Sequence, residues 1–247
     1  MLDGTPILAF LRAPWARQLN AKLGPNTVAA LVVPRDVTPR EALRSGQDAA
    51  VCGDCRMRPR NGGGCYVRMF PGPEATVFSH RHDPWPTWTD DAAPAYADRT
   101  IRCSEWGDPA AVPIEVWDHL RAVLPARRWL AYTHQWRTLD VARWDWCMAS
   151  VESESGAEEA RAAGWRTFRA RRSGTPALPG EKVCPAAAEA ITADRMTCDQ
   201  CGLCTGTALR RRDGTNAASL VLDAHGRDAR LVFQEPILKS RRLFGLR

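Results

Sequence analysis

No stretch of this chain approaches the run of about 20 apolar residues needed to span a bilayer. Its longest clean apolar run is Val28–Val33, so no membrane span is expected. The opening Met-Leu-Asp-Gly-Thr-Pro has no basic segment and no long apolar one, which argues against a secretory leader. A chain kept inside the cell meets a reducing milieu, where grouped cysteines mean metal more often than disulfides. The expected location is therefore the cytoplasm. A Gly-rich phosphate loop is also missing. Gly62-Gly63-Gly64 precedes no helix, and its expected role is flexibility beside Cys65.

Within those exclusions the composition is globular. The 247 residues suffice for one sizeable domain, and 45% of them are hydrophobic. The net charge is +6, with much of the positive charge on arginine, whose planar fork suits phosphate and carboxylate. That permits a nucleotide or nucleic-acid partner. The plainer explanation is the Arg-rich composition that a GC-rich genome produces.

Seven of the nine cysteines fall in two groups. The first, Cys52-x2-Cys55-x9-Cys65, lies in a loop of Gly, Pro and Arg that cannot build a core. Such a loop is held by a metal or cluster rather than by packing. The second is Cys198-x2-Cys201-x2-Cys204, with Cys184 followed by Pro185 as a fourth member. Three thiols so close in sequence cannot all pair with one another, but they can wrap one centre. The spacing is that of an iron–sulfur run, although the fourth cysteine comes first here; tetrahedral zinc takes the same four thiolates. Four thiolates close a site, whereas three leave a position open. Cys103 or Cys147 is a candidate to complete the first group, against the default of a small buried hydrophobe. Arg56, Arg58 and Arg60 are expected to lower the thiol pKa values there.

Strand candidates alternate with helix candidates. A buried strand is expected at 26–33, followed by a helix that Thr38, Pro39 and Glu41 open and that runs to about Ala50. Further strands are expected at 65–70, 99–103, 128–133, 144–149, 165–170 and 218–222, and helices at 15–23, 73–80, 113–124 and 156–163. This predicts an α/β fold, a partial or complete β/α barrel with a C-terminal cysteine-rich insertion. The expected division is a barrel core at 1–172 carrying the cysteine loop 51–67, a cysteine-rich module at 173–217, and a last strand with a basic tail at 218–247. Glu105, Asp108, His134, Gln135, Arg137, Ser150, Glu152, Asp223 and His225 follow strand candidates, where sites on such folds lie. Trp85, Trp88 and Trp106 are expected in the core, with base stacking as the alternative.

Several stretches together, CGDC…GGGCYV, EWGDPAAVPIEVW, AYTHQWR, CMASVES…EEARAAGWRTFRA and VCPAAAEA…TCDQCGLCTG, resemble an uncharacterised family of phage and prophage proteins over most of residues 25–226. That resemblance implies a phage context, hence a host cytoplasm, but no activity. More distantly, Cys65-Tyr66 and the strand-to-turn unit ending Gly107-Asp108-Pro109 resemble radical S-adenosylmethionine enzymes. Those enzymes place an aromatic residue beside the last cysteine of their cluster loop and a Gly-Gly-Glu-Pro turn after the second strand. Here the cysteine spacing is two and nine rather than three and two, and only part of the turn motif is kept.

This second resemblance implies that Cys52, Cys55 and Cys65 hold a 4Fe-4S cluster, and that Glu105, Gly107 and Asp108 approach S-adenosylmethionine. It further implies that His134, Gln135 and Arg137 act on a small-molecule or nucleic-acid substrate, and that residues 184–204 hold a second cluster. Two other readings stay open: a zinc-stabilised nucleic-acid-binding phage protein without catalysis, and a zinc-containing barrel enzyme of the base-exchange kind.

Overall fold

The computed structural model describes residues 2–16, 20–65, 67–187, 196–224 and 233. The apolar run at 26–33 forms strand β2 (Thr27–Pro34), all eight residues of which are buried. β1 (Ile7–Leu11), hidden in the sequence by mixed composition, pairs antiparallel with it. The strands β3 (Thr100–Cys103), β4 (Arg128–Thr133), β5 (Met148–Val151) and β6 (Thr167–Arg171) then add in parallel and in chain order. β7 (Glu181–Val183) takes the edge outside β8 (Ser219–Asp223), which pairs with β6. The described strands form one open α/β sheet with β1 and β7 at its edges, so closure into a complete barrel is not found among the described residues.

Local signals explain the helices that matter for the site. α1 (Pro39–Ser45) begins with a reciprocal cap: Glu41 N–H donates to Thr38 Oγ1 at 3.2 Å, and Thr38 N–H to Glu41 Oε2 at 2.8 Å. It stops at Gly46, whose φ of 87° favours glycine. A single turn, α2 (Ala49–Cys52), then delivers the first cysteine. α3 (Pro73–His82) and α4 (Ile114–Val123) lie where expected. α5 (Glu154–Ala162) starts two residues early because Ser153 caps it, its Oγ accepting from Gly156 N–H at 3.0 Å. The second cysteine run forms one turn, α6 (Cys198–Cys201).

Four expectations differ. The helix expected to reach about Ala50 ends at Ser45, because Gly46 takes a left-handed conformation. Residues 15–23 turn rather than form a helix where they are described, and 17–19 lie outside the described residues. Residues 65–70 form no described strand: the pattern alternates, but no strand edge pairs with it, and Phe70 is 65% exposed. β5 begins at Met148 because Trp144 and Trp146 stack on each other, centroids 5.4 Å apart, and fill the core beside Trp117. Two bulky buried residues at period two imitate a strand.

The sheet buries both faces. One packs the main core, with Ile101, Cys103, Ala131, Ala149 and Val151 against Trp117 of α4 and Ala157 of α5. On the other, Leu130, Met148 and Leu220 meet Tyr132 and Phe168 under Cys198, Leu203 and Cys204. The cysteine-rich segment therefore lies against the sheet, and burial of each large apolar side chain there stabilises by about 1.5–3 kcal/mol. Trp106 is a core residue at 2% exposure. Parallel strands bring their C-terminal ends to one edge, where the loops after β3, β4 and β5 gather.

Candidate metal centres and the adjoining cleft

The first cysteine loop is fixed by backbone capture. Asp48 is fully buried and receives Arg58 in a fork, with Nε at 2.8 Å and Nη2 at 3.0 Å. Arg58 also donates to the carbonyls of Gly53 (2.8 Å) and Gly46 (2.9 Å), so one guanidinium ties both ends of α2. Asp108 N–H donates to Val51 O at 2.6 Å, and Gln135 Nε2 to Cys52 O at 3.0 Å. A Cβ at Gly63 would lie 2.1 Å from Arg56 O, so this glycine permits close backbone approach.

That loop brings Cys52, Cys55 and Cys65 close enough to feel one another's charge. Burial, then the neighbouring Cys55, Cys65, Asp48 and Asp108, pushes the Cys52 thiol well above its ordinary value. Burial likewise raises Cys65. The expected lowering by arginine is not what these two thiols experience. Arg58 is committed to Asp48, and Arg60 donates to Arg44 O at 2.9 Å. A bound cation would replace the thiol protons, which is the usual origin of metal thiolates. Cys103 and Cys147, both at 0% exposure, are fully buried in the main core, as small hydrophobes usually are.

The second group gathers all four of its thiols. Cys204 feels Cys184, Cys198 and Cys201, and Cys198 feels Cys184 and Cys201. Burial is the leading cause of the upward shifts of Cys184, Cys198 (to about 11) and Cys204. Cys198 N–H donates to Lys22 O at 2.8 Å, and Arg128 Nη1 to Asp199 O at 2.7 Å. Arg166, 3% exposed, spreads its guanidinium over the carbonyls of Leu203 (2.9 Å), Ala217 (3.0 Å), Ala218 (2.6 Å) and Gly206. The Tyr132 hydroxyl is hydrogen-bonded to Cys204. Among the described residues, no three His, Cys, Asp or Glu side chains are arranged to hold a single metal ion. The donor sets, three thiols and four, are those that iron–sulfur clusters use, and a cluster presents several separate iron atoms to its ligands.

A cleft opens beside the first group at the C-terminal edge of the sheet. Asp54, Cys55, Arg56, residues 134–138, Ser150, Glu152 and Ser153 line it. His134, Gln135 and Arg137 are thus together on one wall. His134 Nε2 lies 2.9 Å from Glu152 Oε1, and the ring is also hydrogen-bonded to Cys55. Burial pushes the imidazole pKa down, but Cys55 and Glu152 outweigh it and hold His134 well above the ordinary histidine value. Arg137 forks onto Glu159 at 2.9 and 2.7 Å on the exposed rim.

The other three sequence candidates lie elsewhere. Glu105 pairs with Arg12 at 3.0 Å. Gly107 turns tightly on Val32, where a Cβ would come within 2.5 Å of the Val32 carbonyl oxygen. Asp108 is buried and accepts from Ala110 N–H (3.0 Å), Thr133 Oγ1 (2.8 Å) and His134 N–H (2.7 Å), so it supports the His134 turn from beneath. His225 and Tyr66 lie outside the described residues. Glu152 follows a strand candidate, as expected, but its pairing with His134, eighteen residues away, has no local signature in the sequence. Arg166 gave no signal either, because its partners are backbone carbonyls far along the chain.

Comparisons with protein-family models, curated proteins and solved structures return no match. No described helix is long and apolar enough to cross a membrane.

Proposed function

We propose that this chain is an iron–sulfur enzyme on an open, partial β/α barrel, resembling a divergent radical S-adenosylmethionine enzyme in a phage context. One observation carries the reading: three thiols, Cys52, Cys55 and Cys65, converge at the C-terminal edge of a parallel sheet beside a polar cleft. Six parallel strands in chain order are what an opened barrel would supply. Cys52, Cys55 and Cys65 would hold a 4Fe-4S cluster with one iron lacking a thiolate. When bound, such a cluster supplies one-electron reduction of S-adenosylmethionine.

The chain's own contribution is position and dryness. Arg58 and Gln135 fix the backbone on either side of Cys52. Asp108 sets the turn that aims His134 into the cleft. Arg56 lines the cleft, and Arg137 stands on its rim paired with Glu159, which an anionic group of a nucleotide, a nucleic acid or a small molecule would have to displace to reach the guanidinium. The second group, with four thiols closed against Tyr132 and the sheet, would hold a second cluster.

The donor chemistry of four thiolates also suits one other reading, a zinc-stabilised nucleic-acid-binding protein, although no three of these side chains are arranged round a single ion. Cleavage of S-adenosylmethionine decides between them. Anaerobically prepared protein given a strong reductant is expected to release 5′-deoxyadenosine or a product carrying it. Protein that is loaded with iron and leaves the cofactor intact would remove the radical reading, and colourless protein with stoichiometric zinc would favour the alternative.

A further inference from the structure

The cleft beside the first cysteine group has a neighbour. A second hollow, walled by Leu139, Val141 and Trp165, shares Trp136 and Arg137 with it. Arg137 lines both. Its Cζ lies over the Trp136 ring, 4.0 Å from the centroid. Its Nε and Nη2 donate to the two carboxylate oxygens of Glu159 at 2.9 and 2.7 Å. A flat group with two parallel N–H donors therefore sits over an indole face and meets a carboxylate edge to edge.

Neither member of that pair is committed to the core. The Arg137 and Glu159 side chains are 55% and 54% exposed, and an exposed ion pair contributes little to stability. The indole and the carboxylate can thus exchange the guanidinium for another planar donor at small cost. Guanine matches the requirement. Its N1–H and N2–H lie side by side on the Watson–Crick edge, as the Nε–H and Nη–H of arginine do, and its ring stacks on aromatic side chains. Adenine presents an acceptor at N1 in the same place, which a carboxylate repels. A guanine seated on Trp136 keeps Glu159 supplied with two donors and frees Arg137. The freed guanidinium, together with Arg56 in the cleft, then meets an anion. A mononucleotide carries base and anion in one molecule.

We propose that Trp136 and Glu159 bind the base of a free guanine nucleotide. Arg137 occupies the base position until the nucleotide displaces it, and then turns to the phosphate. This rests on reading the adjoining cleft as the substrate site, and it involves neither a metal nor the thiols.

Calorimetric titration of the full chain tests it, without reductant or S-adenosylmethionine. The ligands are the monophosphates of guanosine, inosine and adenosine, and guanosine itself. Wild type is expected to bind guanosine monophosphate at least about fivefold more tightly than adenosine monophosphate, the lower bound for one bidentate pair. Inosine monophosphate, which lacks the N2 donor, falls between them. Glu159→Gln is expected to bring the guanine and adenine nucleotides within about twofold of each other, since the bidentate pair is gone. Arg137→Ala is expected to keep the guanine preference and to narrow the advantage of guanosine monophosphate over guanosine. Both side chains are half exposed, so unchanged melting temperatures serve as the folding control. Equal affinity for the guanine and adenine nucleotides in wild type, binding of neither, or a preference that survives Glu159→Gln overturns the proposal. Binding of a guanine-containing single strand but not of the free nucleotide overturns it too. Guanine preference in protein that leaves S-adenosylmethionine intact upholds this site and removes the radical reading. Cleavage of S-adenosylmethionine without guanine preference removes this site alone.

Discussion

Replacing Arg58 by Leu separates a structural arginine from one that merely lends charge to thiols. Asp48 is buried at 0% exposure, and the Arg58 side chain is 12% exposed. Removing one partner of a buried ion pair costs about 3–5 kcal/mol, because the remaining charge stays buried without compensation. Arg58 touches solvent, so the lower end applies, about 3 kcal/mol. A domain of this size shifts its melting temperature by about 2–4 °C per kcal/mol, which gives a drop of about 6–12 °C. Thermal unfolding of wild type, Arg58→Leu, Asp48→Asn and the double variant completes the cycle. The double variant is expected to melt above Arg58→Leu, since it no longer buries a lone carboxylate. Metal bound by the first group is expected to fall in both variants that lack Arg58, with the second group retained. An Arg58→Leu protein that melts within about 2 °C of wild type, less than about 1 kcal/mol, would refute the reasoning.

Gly53→Ala places a side chain at φ 55° with its Cβ 2.8 Å from Gln135 Oε1. It is expected to cost about 1–2 kcal/mol and to lower metal content at the first group alone, checked by metal analysis per chain. Arg166→Leu leaves the carbonyls of Leu203, Gly206, Ala217 and Ala218 without their cationic donor. Loss of metal from the second group and faster proteolysis near residue 205 are expected, while Arg166→Lys retains part of both. For Asp223, burial pushes the carboxyl pKa up, but hydrogen bonds from Arg171 and Ser173 outweigh it and leave the value lowered. A depressed folded pKa contributes stability that is present above the ordinary carboxylate value and lost as pH falls through the folded one. Asp223→Asn should therefore flatten the acid limb of melting temperature against pH below about 4, and an unchanged limb would contradict the role of the Arg171 pair.

The parts legible in the sequence were those with short-range signatures. The α1 cap needs only Thr38, Pro39 and Glu41, and the structure has it to the residue. β2 is a dense apolar run, and it is buried throughout. Cysteine spacing announced both groups before any contact was known. What stayed hidden depends on partners distant in sequence. Asp48 and Arg58 are ten residues apart, and Glu152 and His134 are eighteen. Arg166 reaches carbonyls up to 52 residues away. Gly63 illustrates a second difficulty: a glycine needed for flexibility and one needed for close approach to Arg56 O look identical in sequence. Glu105 and Asp108 follow a strand candidate, and family resemblance adds Gly107 to them. In the fold, Asp108 faces Thr133 and the His134 backbone rather than the cleft lining.

Metal analysis of anaerobically purified wild type beside Cys65→Ala tests the central claim most directly. The account predicts brown wild-type protein with iron and sulfide sufficient for two clusters. It predicts Cys65→Ala protein that retains only the share held by Cys184, Cys198, Cys201 and Cys204. Colourless wild type with stoichiometric zinc, or an iron content unchanged by Cys65→Ala, would contradict it.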